Sequence, residues 1–600
     1  MKAGKKATGL GAKIVVYPEL GLTGYTCGDL FLQDALLAGA NKALLTFVEG
    51  TKDTDALFFI GMPLRKDGRL YNVAAVVNRG KILAFIPKTY LPNYDEFYEK
   101  RHFSPAPKTV GKVFFEGEDY PFGTDILFRC ESMPDLCVAA EICEDAWAVA
   151  TPASRHALAG ATVVVNLSAS DEVVGKADFR RKLLSAYSAR LVAGIVYADA
   201  GRGESTTDVV FAGHDLVYEN GKLLAESEPF GQGSAVTEID LSYLVRERSK
   251  LFNYDYETTA HVEIPFGLYF SDVTLTRKYD KNPFVPDDGK ELSSRSDLIL
   301  RLQAEGLAKR IKHTGAKCVV IGVSGGLDST LTLLAAARAV KIAGTGAKVI
   351  GVTMPCFGTT NRTYVNACRL VKLLGAELRE INIKEAVDVH LRDIGHDRTP
   401  DVTFENAQAR ERTQVIMDIA NKENGFVVGT GDLSELALGW ATYNGDHMSM
   451  YGTNASIPKT LVRHLVRFEA SRSEKDLADT LYDILDTPVS PELLPPKDGE
   501  ISQKTEDIVG PYELHDFFLY HTVRNGFAPD KILRIAVETF AGDYDEETVA
   551  EWLAVFCRRF FSQQFKRSCM PDGVKVGSVD LSPRGSWRMP SDAMSTLWKL

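Results

Sequence analysis

Residues 318–334, CVVIGVSGGLDSTLTLL, decide the fold of the second half of the chain. The apolar run at 318–323 has the composition of a short strand that is buried in a parallel sheet. A glycine-rich turn follows at once, and residues 331–343 then have the periodicity of a helix. Because this arrangement directs backbone N–H groups at one point, the stretch predicts an anion site at the positive end of a helix.

The turn itself, SGGLDST, has groups that suit a phosphate. Gly325 and Gly326 permit positive φ angles and a close approach of the backbone. Ser324 and Ser329 add hydroxyl donors. Asp328 is a carboxylate beside the predicted phosphate, which makes sense if a divalent cation lies between the two. The spacing does not fit the GxxxxGK[ST] pattern of a Walker loop, and an ordinary turn with a capping serine is the alternative interpretation.

The composition is that of an ordinary globular protein, and it disfavours nucleic-acid-binding and membrane-spanning proteins. The chain has 600 residues, of which 45% are hydrophobic and 25% charged, and a prior of about 150 residues per domain predicts roughly two to four domains. The net charge of −11 disfavours a nucleic-acid partner. Nine cysteines without regular spacing are typical of reduced thiols, and no apolar run approaches the roughly 18 to 20 residues of a membrane-spanning helix. The start lacks an apolar signal core, so we predict a cytoplasmic protein with neither nucleic-acid nor membrane partners.

Three reactive side chains follow short β-type runs in the first half of the chain. They are Glu19, Lys88 and Cys143, after the runs at 14–17, 82–86 and 136–140. A thiol is a strong nucleophile once ionised, and it needs a base to take its proton and a cation to hold the developing oxyanion. Each residue alone is more often a buried cysteine or a solvated charge, and only the three contexts together favour catalysis.

Three longer segments carry a family resemblance. YPELGLTGY at 17–25, PKTYLPNYDEF at 87–97 and EICEDAW at 141–147 resemble the catalytic segments of the nitrilase, or carbon–nitrogen hydrolase, superfamily. The resemblance implies an αββα sandwich. It also implies that an amide is hydrolysed through a thioester.

The same resemblance assigns catalytic roles to individual residues. Cys143 matches the nucleophile and Glu19 the general base. Lys88 matches the group that stabilises the tetrahedral intermediate, and Glu96 resembles the family's second, positioning glutamate. These roles agree with the chemistry that a thiol, a carboxylate and an ammonium group allow.

Three further segments narrow the resemblance. NLSAS at 166–170, YADAGRGESTTD at 197–208 and GHD at 213–215 resemble the glutaminase domain of glutamine-dependent NAD synthetases. Together with Glu96, the positions matched to glutamine are Tyr94, Ser170 and Lys176. The position of Lys176 is more often arginine in that family, and a lysine contacts a carboxylate as a point charge rather than as a fork.

The start of the chain departs from the superfamily pattern. Only thirteen residues precede Ile14, and they contain three glycines and four lysines, whereas the family's sandwich usually begins with a strand and a long helix. We therefore expect the sandwich to lack its first strand, which would leave an unpaired edge in a sheet. Two alternatives follow: an impaired glutaminase in an enzyme that uses free ammonia, or a degenerate first half with a binding or scaffold role.

The second half alternates strands with helices. Beyond the strand of the opening stretch, β-type runs at 348–352, 377–383 and 426–429 are separated by helical patterns. This alternation predicts a doubly wound parallel sheet with ligands at the carboxyl ends of its strands. The SGGLDST turn, the loop at 354–363 and GTGDLSE at 429–435 all follow strands, so we expect them at one edge of the sheet.

Most of the second half resembles the ATP pyrophosphatase branch of ATP-using amidotransferases and, more closely, an NAD synthetase domain. The resemblance implies amidation of deamido-NAD to NAD. In that reaction ATP adenylates the acid, ammonia released from L-glutamine displaces AMP, and pyrophosphate and glutamate are the other products. Besides VSGGLDST, the matching segments are FGTTNRTYVNA (357–367), ENAQARERT (405–413), GTGDLSELALGWATYNGD (429–446), IPKTLVR (457–463), TPVSPELLP (487–495), QKTEDIVGPYELHDFFLYH (503–521) and QQFKRSCMPDGVKVGS (563–578).

The resemblance also assigns residues to ligands. The SGGLDST backbone would cradle the pyrophosphate of ATP, and Mg²⁺ held by Asp328 and Glu435 would neutralise the developing charge. The positions matched to ATP are Ser324, Gly325, Gly326, Leu327, Asp328, Ser329, Thr430 and Lys459. The positions matched to deamido-NAD are Asn406, Glu435, Trp440, Ala441, Thr442, Tyr443 and Lys566.

The two resemblances define the predicted organisation. The chain is predicted to consist of a glutaminase domain at 1–270, a linker at 271–295 and a synthetase domain at 296–600. The resemblance also implies a homo-oligomer, because the family tends to form large homo-oligomers. Another amidotransferase of the same branch, such as a GMP synthetase, is disfavoured because that family pairs its synthetase with a Cys–His–Glu glutaminase. The predicted partners are small molecules, namely deamido-NAD, ATP and L-glutamine.

Overall fold

A computed structural model describes most of the chain, which forms two compact units, Met1–Lys278 and Tyr279–Leu600. Some sequence segments named above fall partly outside the described residues. They are most of TPVSPELLP at 487–495, the start of QKTEDIVGPYELHDFFLYH at 503–521, and residues 271–272 and 287–288 of the predicted linker. The described residues are 1–231, 233–251, 254, 260–269, 273–286, 289–487, 493 and 505–600.

The first unit consists of two main β-sheets with helices on their outer faces. Its strands are β1 (Ile14–Val16), β2 (Leu57–Lys66), β3 (Arg69–Asn78), β4 (Lys81–Pro87), β5 (Asn93–Tyr94), β6 (Phe97–Tyr98), β7 (Gly111–Phe115), β8 (Glu118–Phe122), β9 (Ile126–Cys130), β10 (Cys137–Ile142), β11 (Val163–Ser168), β12 (Gly194–Asp199), β13 (Leu216–Glu219), β14 (Lys222–Glu226) and β15 (Val262–Phe266). Its helices are α1 (Lys2–Gly9), α2 (Asp34–Gly50), α3 (Pro152–Leu158), α4 (Lys176–Leu191) and α5 (Leu241–Ser249).

The two sheets pack face to face and are covered by helices. One has the strand order β1-β2-β3-β4-β8-β7, and the other has the order β14-β13-β12-β11-β10-β9-β15. Phe59 and Val76 of the first sheet share a core with Val138 and Val165 of the second. Apolar side chains on the opposite faces pack against α2 and α4, which is why the central strands are continuous apolar runs in the sequence. The predicted αββα sandwich is confirmed.

β1 is the edge strand of the first sheet in the part of the chain that the structure describes. It pairs in parallel with β2, with Ile14 opposite Leu57. The element before it is the helix α1, in which Gly4 lies against the side chain of Tyr17. The lysines and glycines of this stretch did not predict the helix α1.

A hairpin at Arg79 and Gly80 joins β3 and β4 in antiparallel register. Both turn residues have positive φ angles, 49° and 68°, as a two-residue turn between twisted strands requires. In the neighbouring pair of β2 and β3 the polar ends of the strands also pair, with Lys66 opposite Arg69.

The second unit is built on one parallel sheet. Its helices are α6 (Gly289–Thr314), α7 (Leu327–Ala343), α8 (Asn361–Leu373), α9 (Lys384–Asp393), α10 (Val402–Lys422), α11 (Leu433–Leu438), α12 (Lys459–Arg472), α13 (Lys475–Leu485), α14 (Thr505–Val509), α15 (Tyr512–Leu519), α16 (Pro529–Thr539), α17 (Glu546–Ser562) and α18 (Gln564–Ser568). Its strands are β16 (Cys318–Gly322), β17 (Lys348–Thr353), β18 (Glu377–Glu380), β19 (Phe426–Gly429) and β20 (Tyr451–Gly452).

The strand order of this sheet is β18-β17-β16-β19-β20, and all neighbours run parallel. Helices α6, α7 and α12 pack on one face, and α9 and α10 on the other. The predicted doubly wound sheet is therefore confirmed. Because the chain goes from β16 to β17 on one side and later to β19 on the other, the crevice for a ligand lies at the carboxyl end of β16.

Candidate active sites

A buried lysine between two carboxylates is the centre of the first site. Nζ of Lys88, just beyond β4, lies 2.6 Å from Oε1 of Glu19 and 2.6 Å from Oε1 of Glu99. Asn72 and the backbone N–H of Ala169 also donate hydrogen bonds to Glu19. Burial opposes the charge on Lys88, but the attraction of Glu19 and Glu99 outweighs it, and the pKa of Lys88 lies well above its usual value. Lys88 is therefore a fixed cation.

The predicted nucleophile, Cys143, follows β10 directly and is almost fully buried. Its φ of 44° is in the left-handed region, and strain of this kind clusters at functional sites. The carboxylate of Asp145 accepts hydrogen bonds from the backbone of this turn and from the N–H of Tyr90, so it ties the turn to the loop after β4. Burial raises the pKa of Cys143, and the charges of Glu19 and Lys88 also act on the thiol. The structure thus brings the three predicted residues into one site.

The second carboxylate on Lys88 comes from Glu99 and not from Glu96. Strands β5 and β6 form a short hairpin, and Glu96 is exposed in its turn. Glu99 follows the hairpin and is buried, and the hydroxyl of Tyr25 donates to its Oε1 at 2.9 Å. Both glutamates belong to the same acidic, aromatic loop, and that loop is the signal that could have pointed to Glu99.

Tyr94 and Lys176, two positions matched to glutamine, both lie beside the ring of Phe97. The hydroxyl of Tyr94 donates to Glu144, the residue after the predicted nucleophile, at 2.9 Å. The ring of Tyr94 lies 5.9 Å from that of Phe97, measured between centroids, and Nζ of Lys176 lies 5.6 Å from the same ring. Lys176 also forms an ion pair with buried Asp171, which the sequence did not predict.

Ser170, the third position matched to glutamine, is held by a buried polar network. Its backbone N–H donates to Asp199 at 2.8 Å, and Arg180 donates to its hydroxyl at 3.3 Å. Arg180 is fully buried and also forms an ion pair with Glu172. The network fixes the serine, and its members come from elements that the sequence pattern alone does not connect.

The SGGLDST turn of the second site joins β16 to α7, as the sequence predicts. Gly325 has a φ of 88°, and a Cβ atom there would lie 2.2 Å from the carbonyl oxygen of Thr363. The hydroxyl of Ser324 accepts a hydrogen bond from the N–H of Gly326 and lies 3.2 Å from the hydroxyl of Ser329. The turn is therefore a tight loop at the start of a helix, as an anion site requires.

Replacing Gly325 by alanine should destabilise the second unit. The left-handed backbone alone costs about 1–3 kcal/mol for a residue with a Cβ atom, and the overlap with Thr363 adds to it. Thermal unfolding of the full chain should show a lower midpoint. Gly326→Ala is the matched control, because Gly326 has a φ of −89° and its added Cβ would approach only the hydroxyl of Ser324, at 3.3 Å. An equal midpoint in the two variants would contradict the steric argument.

A second buried lysine lies among three carboxylates at this turn. Nζ of Lys459 lies 2.6 Å from Asp328, 2.6 Å from Asp432 and 3.0 Å from Glu435. Burial raises the pKa of Glu435 to about 7 and that of Asp432 well above its usual value. The sequence did not assign a role to Asp432. Its place in the capping box of α11, where it accepts from the N–H of Glu435, is the signal that was available.

The same three carboxylates fit a divalent cation. One oxygen from each of Asp328, Asp432 and Glu435 lies within 4.8 Å of the other two. Oδ1 of Asp328 is buried and accepts no hydrogen bond from the described residues. Carboxylate oxygens are the ligands that Mg²⁺ prefers, so the residues present suit the ion that the sequence predicts.

A cavity of about 760 Å³ opens beside this cluster. Its size suits a dinucleotide or ATP rather than a macromolecule. It brings together every residue matched to ATP and deamido-NAD except Gly325 and Lys459. The side chain of Lys459 instead contacts two of the lining carboxylates, those of Asp328 and Glu435.

Polar contacts fix several side chains of the cavity wall. The hydroxyl of Thr442 donates to Asn406 at 2.7 Å, and Nζ of Lys566 donates to the carbonyl oxygens of Gly439 and Ala441 at 2.7 and 2.6 Å. Burial, with the nearby charge of Arg559, lowers the pKa of Lys566.

Two aromatic residues of the cavity wall make further contacts, which the sequence could not predict. The ring of Tyr443 lies 5.4 Å from that of Phe565, and the guanidinium of Arg559 lies 5.4 Å from the ring of Trp440.

Within the described parts of the chain, no helix has both the length and the apolar character that crossing a membrane requires.

Comparison with known proteins gives concordant matches for both units. The carbon–nitrogen hydrolase family model matches residues 1–248, and the NAD synthase family model matches residues 299–525. The chain is 41% identical, over 98% of its length and 92% of the relative's, to a glutamine-dependent NAD(+) synthetase of Mycobacterium bovis. It is 40% identical to the protein of the same description from Mycobacterium leprae, with the same coverage. A third such protein, from Aquifex aeolicus, is 28% identical over 96% of this chain and 93% of its own.

Proposed function

The chain belongs to the glutamine-dependent NAD(+) synthetases, and from this premise we propose how its residues divide the reaction between two sites. The enzyme uses ATP to amidate deamido-NAD to NAD with nitrogen from L-glutamine, and it forms AMP, pyrophosphate and glutamate. The site around Cys143 releases the ammonia, and the site around Asp328 consumes it. The observation that carries this division is the pair of separate buried clusters, one centred on Lys88 and the other on Lys459.

In the first site, Cys143 attacks the amide carbon of glutamine and Glu19 takes the thiol proton. Burial raises the pKa of Glu19 to about 7, which suits a group that accepts a proton and later returns it to the leaving ammonia. The fixed charge of Lys88 stabilises the oxyanion of the tetrahedral intermediate. Water then hydrolyses the thioester and releases glutamate. Tyr94 and Lys176 bind the rest of glutamine from positions around Phe97.

Glu99 takes the positioning role that the sequence assigned to Glu96. Glu99→Gln removes one of the two negative charges that hold Lys88, so glutamate release from glutamine should fall by about 100-fold or more. Glu96→Gln changes an exposed side chain of the same loop and should have little effect. Glutamate release should be measured for both variants in parallel. Equal activities would reject the assignment to Glu99.

In the second site, the SGGLDST turn binds the phosphates of ATP and the cavity wall binds deamido-NAD. The amides of the turn face the pyrophosphate that leaves, while Thr430 and Lys459 complete the ATP contacts. Asn406, Glu435, Lys566 and the 440–443 loop orient the carboxylate that becomes the amide. This arrangement is supported by the single cavity that most of these residues line.

Mg²⁺ would be held by Asp328 and Glu435, with Asp432 as a third carboxylate beside them. When bound there, the ion supplies positive charge that neutralises the phosphates of ATP. Lys459 orients the three carboxylates, and its charge opposes the rise in pKa that burial causes in Glu435 and Asp432.

Product analysis tests the proposal as a whole. The purified chain is incubated with ATP, deamido-NAD and either L-glutamine or ammonium, and NAD, AMP and glutamate are quantified. We expect NAD with both donors, and one glutamate for each NAD with glutamine. If NAD forms with ammonium but not with L-glutamine, the result would instead support the alternative of an impaired glutaminase half.

The finer features of the enzyme are also part of this proposal. We assign it to the cytoplasm on the basis of its free thiols. A homo-oligomeric state and the domain limits 1–270, 271–295 and 296–600 remain predictions from the family resemblance. Size-exclusion chromatography with light scattering tests the oligomeric state, and limited proteolysis tests the limits.

A further inference from the structure

Two histidines and an aspartate form a cluster in the first unit. Asp125 precedes β9 and His261 precedes β15, and these two strands pair in parallel. The N–H of Val262 donates to the carbonyl oxygen of Asp125, so the two residues are neighbours at the amino ends of adjacent strands. His156 approaches them from α3. None of the three residues has a role in the two sites described above.

The ligand atoms of the cluster lie close enough to share one ion. Nδ1 of His156 lies 2.9 Å from Nε2 of His261, and that nitrogen lies 3.9 Å from Oδ1 of Asp125. All three ligand atoms lie within 4.8 Å of one another. In a tetrahedral zinc site with bonds of about 2.0–2.1 Å, ligand atoms are about 3.4 Å apart. The first two distances differ from that value by about half an ångström in opposite directions, and the third is at most 4.8 Å, so side-chain adjustments are needed to form the site.

Burial and solvent access also suit a metal. The side chain of His156 is fully buried, and its Nε2 has no hydrogen-bond partner among the described residues. The side chain of Asp125 is 23% exposed, which leaves a route for the ion from solvent.

A simple hydrogen bond between two neutral imidazoles is the competing interpretation. It explains the 2.9 Å contact, but it does not explain why the carboxylate of Asp125, which pairs with Arg155, also lies beside His261. The guanidinium of Arg155 lies 3.1 Å from Oδ1 of Asp125 and would repel a cation. Because the side chain of Arg155 is half exposed, it can turn to solvent or hold the second oxygen of the carboxylate, as outer partners of metal ligands do.

We propose that Asp125, His156 and His261 bind one Zn²⁺ ion, with water as the fourth ligand. Two imidazoles and one carboxylate match the ligand types of zinc better than those of Mg²⁺ or Ca²⁺. The ligands come from three elements that are far apart in the sequence. The ion therefore ties β15, the last strand of the first unit, to β9 and to α3.

The zinc content of matched variants tests this proposal. The full chain is stripped with a chelator, incubated with Zn²⁺ in the presence of excess Mg²⁺, desalted and analysed for bound metal. Wild type should retain about one zinc ion per chain more than His261→Gln or Asp125→Asn. His313→Gln, which changes an exposed histidine on α6, should retain as much as wild type. Equal zinc content in all of these proteins overturns the proposal.

Two measurements on the wild type do not depend on the folding of a variant. Zn²⁺ should raise the unfolding midpoint of the stripped chain by a few degrees, because the ion binds only the folded state. Co²⁺ in place of zinc should give the visible absorption bands of a tetrahedral site, and Zn²⁺ should abolish them. Absence of both effects overturns the proposal, whatever the variants do.

Discussion

Cys143→Ala should abolish NAD formation from glutamine and leave NAD formation from ammonium intact. Alanine cannot form the thioester, and loss of a covalent nucleophile reduces turnover by more than about 1,000-fold. The residues that surround ATP and deamido-NAD belong to the second unit and are unchanged. The measurement is the initial rate of NAD formation with each donor at saturating ATP and deamido-NAD.

The pH of this experiment matters. Ammonia is mostly protonated at neutral pH and is then a poor nucleophile, so the ammonium arm should be run at mildly alkaline pH. Cys368→Ala is the control, because it removes a thiol from α8 and should keep both activities. Loss of both activities in Cys143→Ala, with the unfolding midpoint unchanged, would contradict the division of labour between the two sites.

Asp328→Asn should abolish NAD formation with either donor. The substitution removes a charge that pairs with Lys459 and that would bind Mg²⁺ beside the phosphates. Removal of one such electrostatic contact costs about 100- to 1,000-fold in turnover. The shape of the side chain is kept, so the effect on packing is small. NAD formation should be measured with glutamine and with ammonium over a range of Mg²⁺ concentrations.

This variant needs a control for the loss of a carboxylate elsewhere in the same unit. Asp418→Asn changes an exposed position on α10 and should behave as wild type. If Asp328→Asn kept ammonium-driven activity within about threefold of wild type, the assignment of the second site would be wrong. The opposite responses of Cys143→Ala and Asp328→Asn to ammonium therefore separate the two sites.

Both sites place a buried lysine among carboxylates, although the reactions of the two sites differ. Buried ion pairs add little net stability, because the loss of hydration offsets their attraction. The burial is explained better by its effect on protonation, since it raises the pKa of Glu19 and of Glu435 to about 7. The charges of Lys88 and Lys459 limit this rise in the pKa of Glu19 and of Glu435.

Local patterns were enough to place the reactive residues, and the family resemblance supplied their roles. The strand, turn and helix at 318–343 predicted β16, the SGGLDST loop and α7, because apolar runs, glycines and helical periodicity act over a few residues. The same reasoning placed Glu19, Lys88 and Cys143 beyond strands β1, β4 and β10. Elements without a strong local pattern, such as α1 and the strands β7 to β9, were not predicted.

The tertiary structure decided which side chains meet. The sequence pointed to Glu96, and only the hairpin of β5 and β6 turns that residue to solvent and brings Glu99 onto Lys88. Lys459 is 131 positions from Asp328, yet their side chains lie 2.6 Å apart. Partners at such separations are set by the packing of whole elements, and no pattern within a short window records that packing. The sequence by itself thus determined the fold class and the reactive groups, while the folded chain determined their partners and hence their charge.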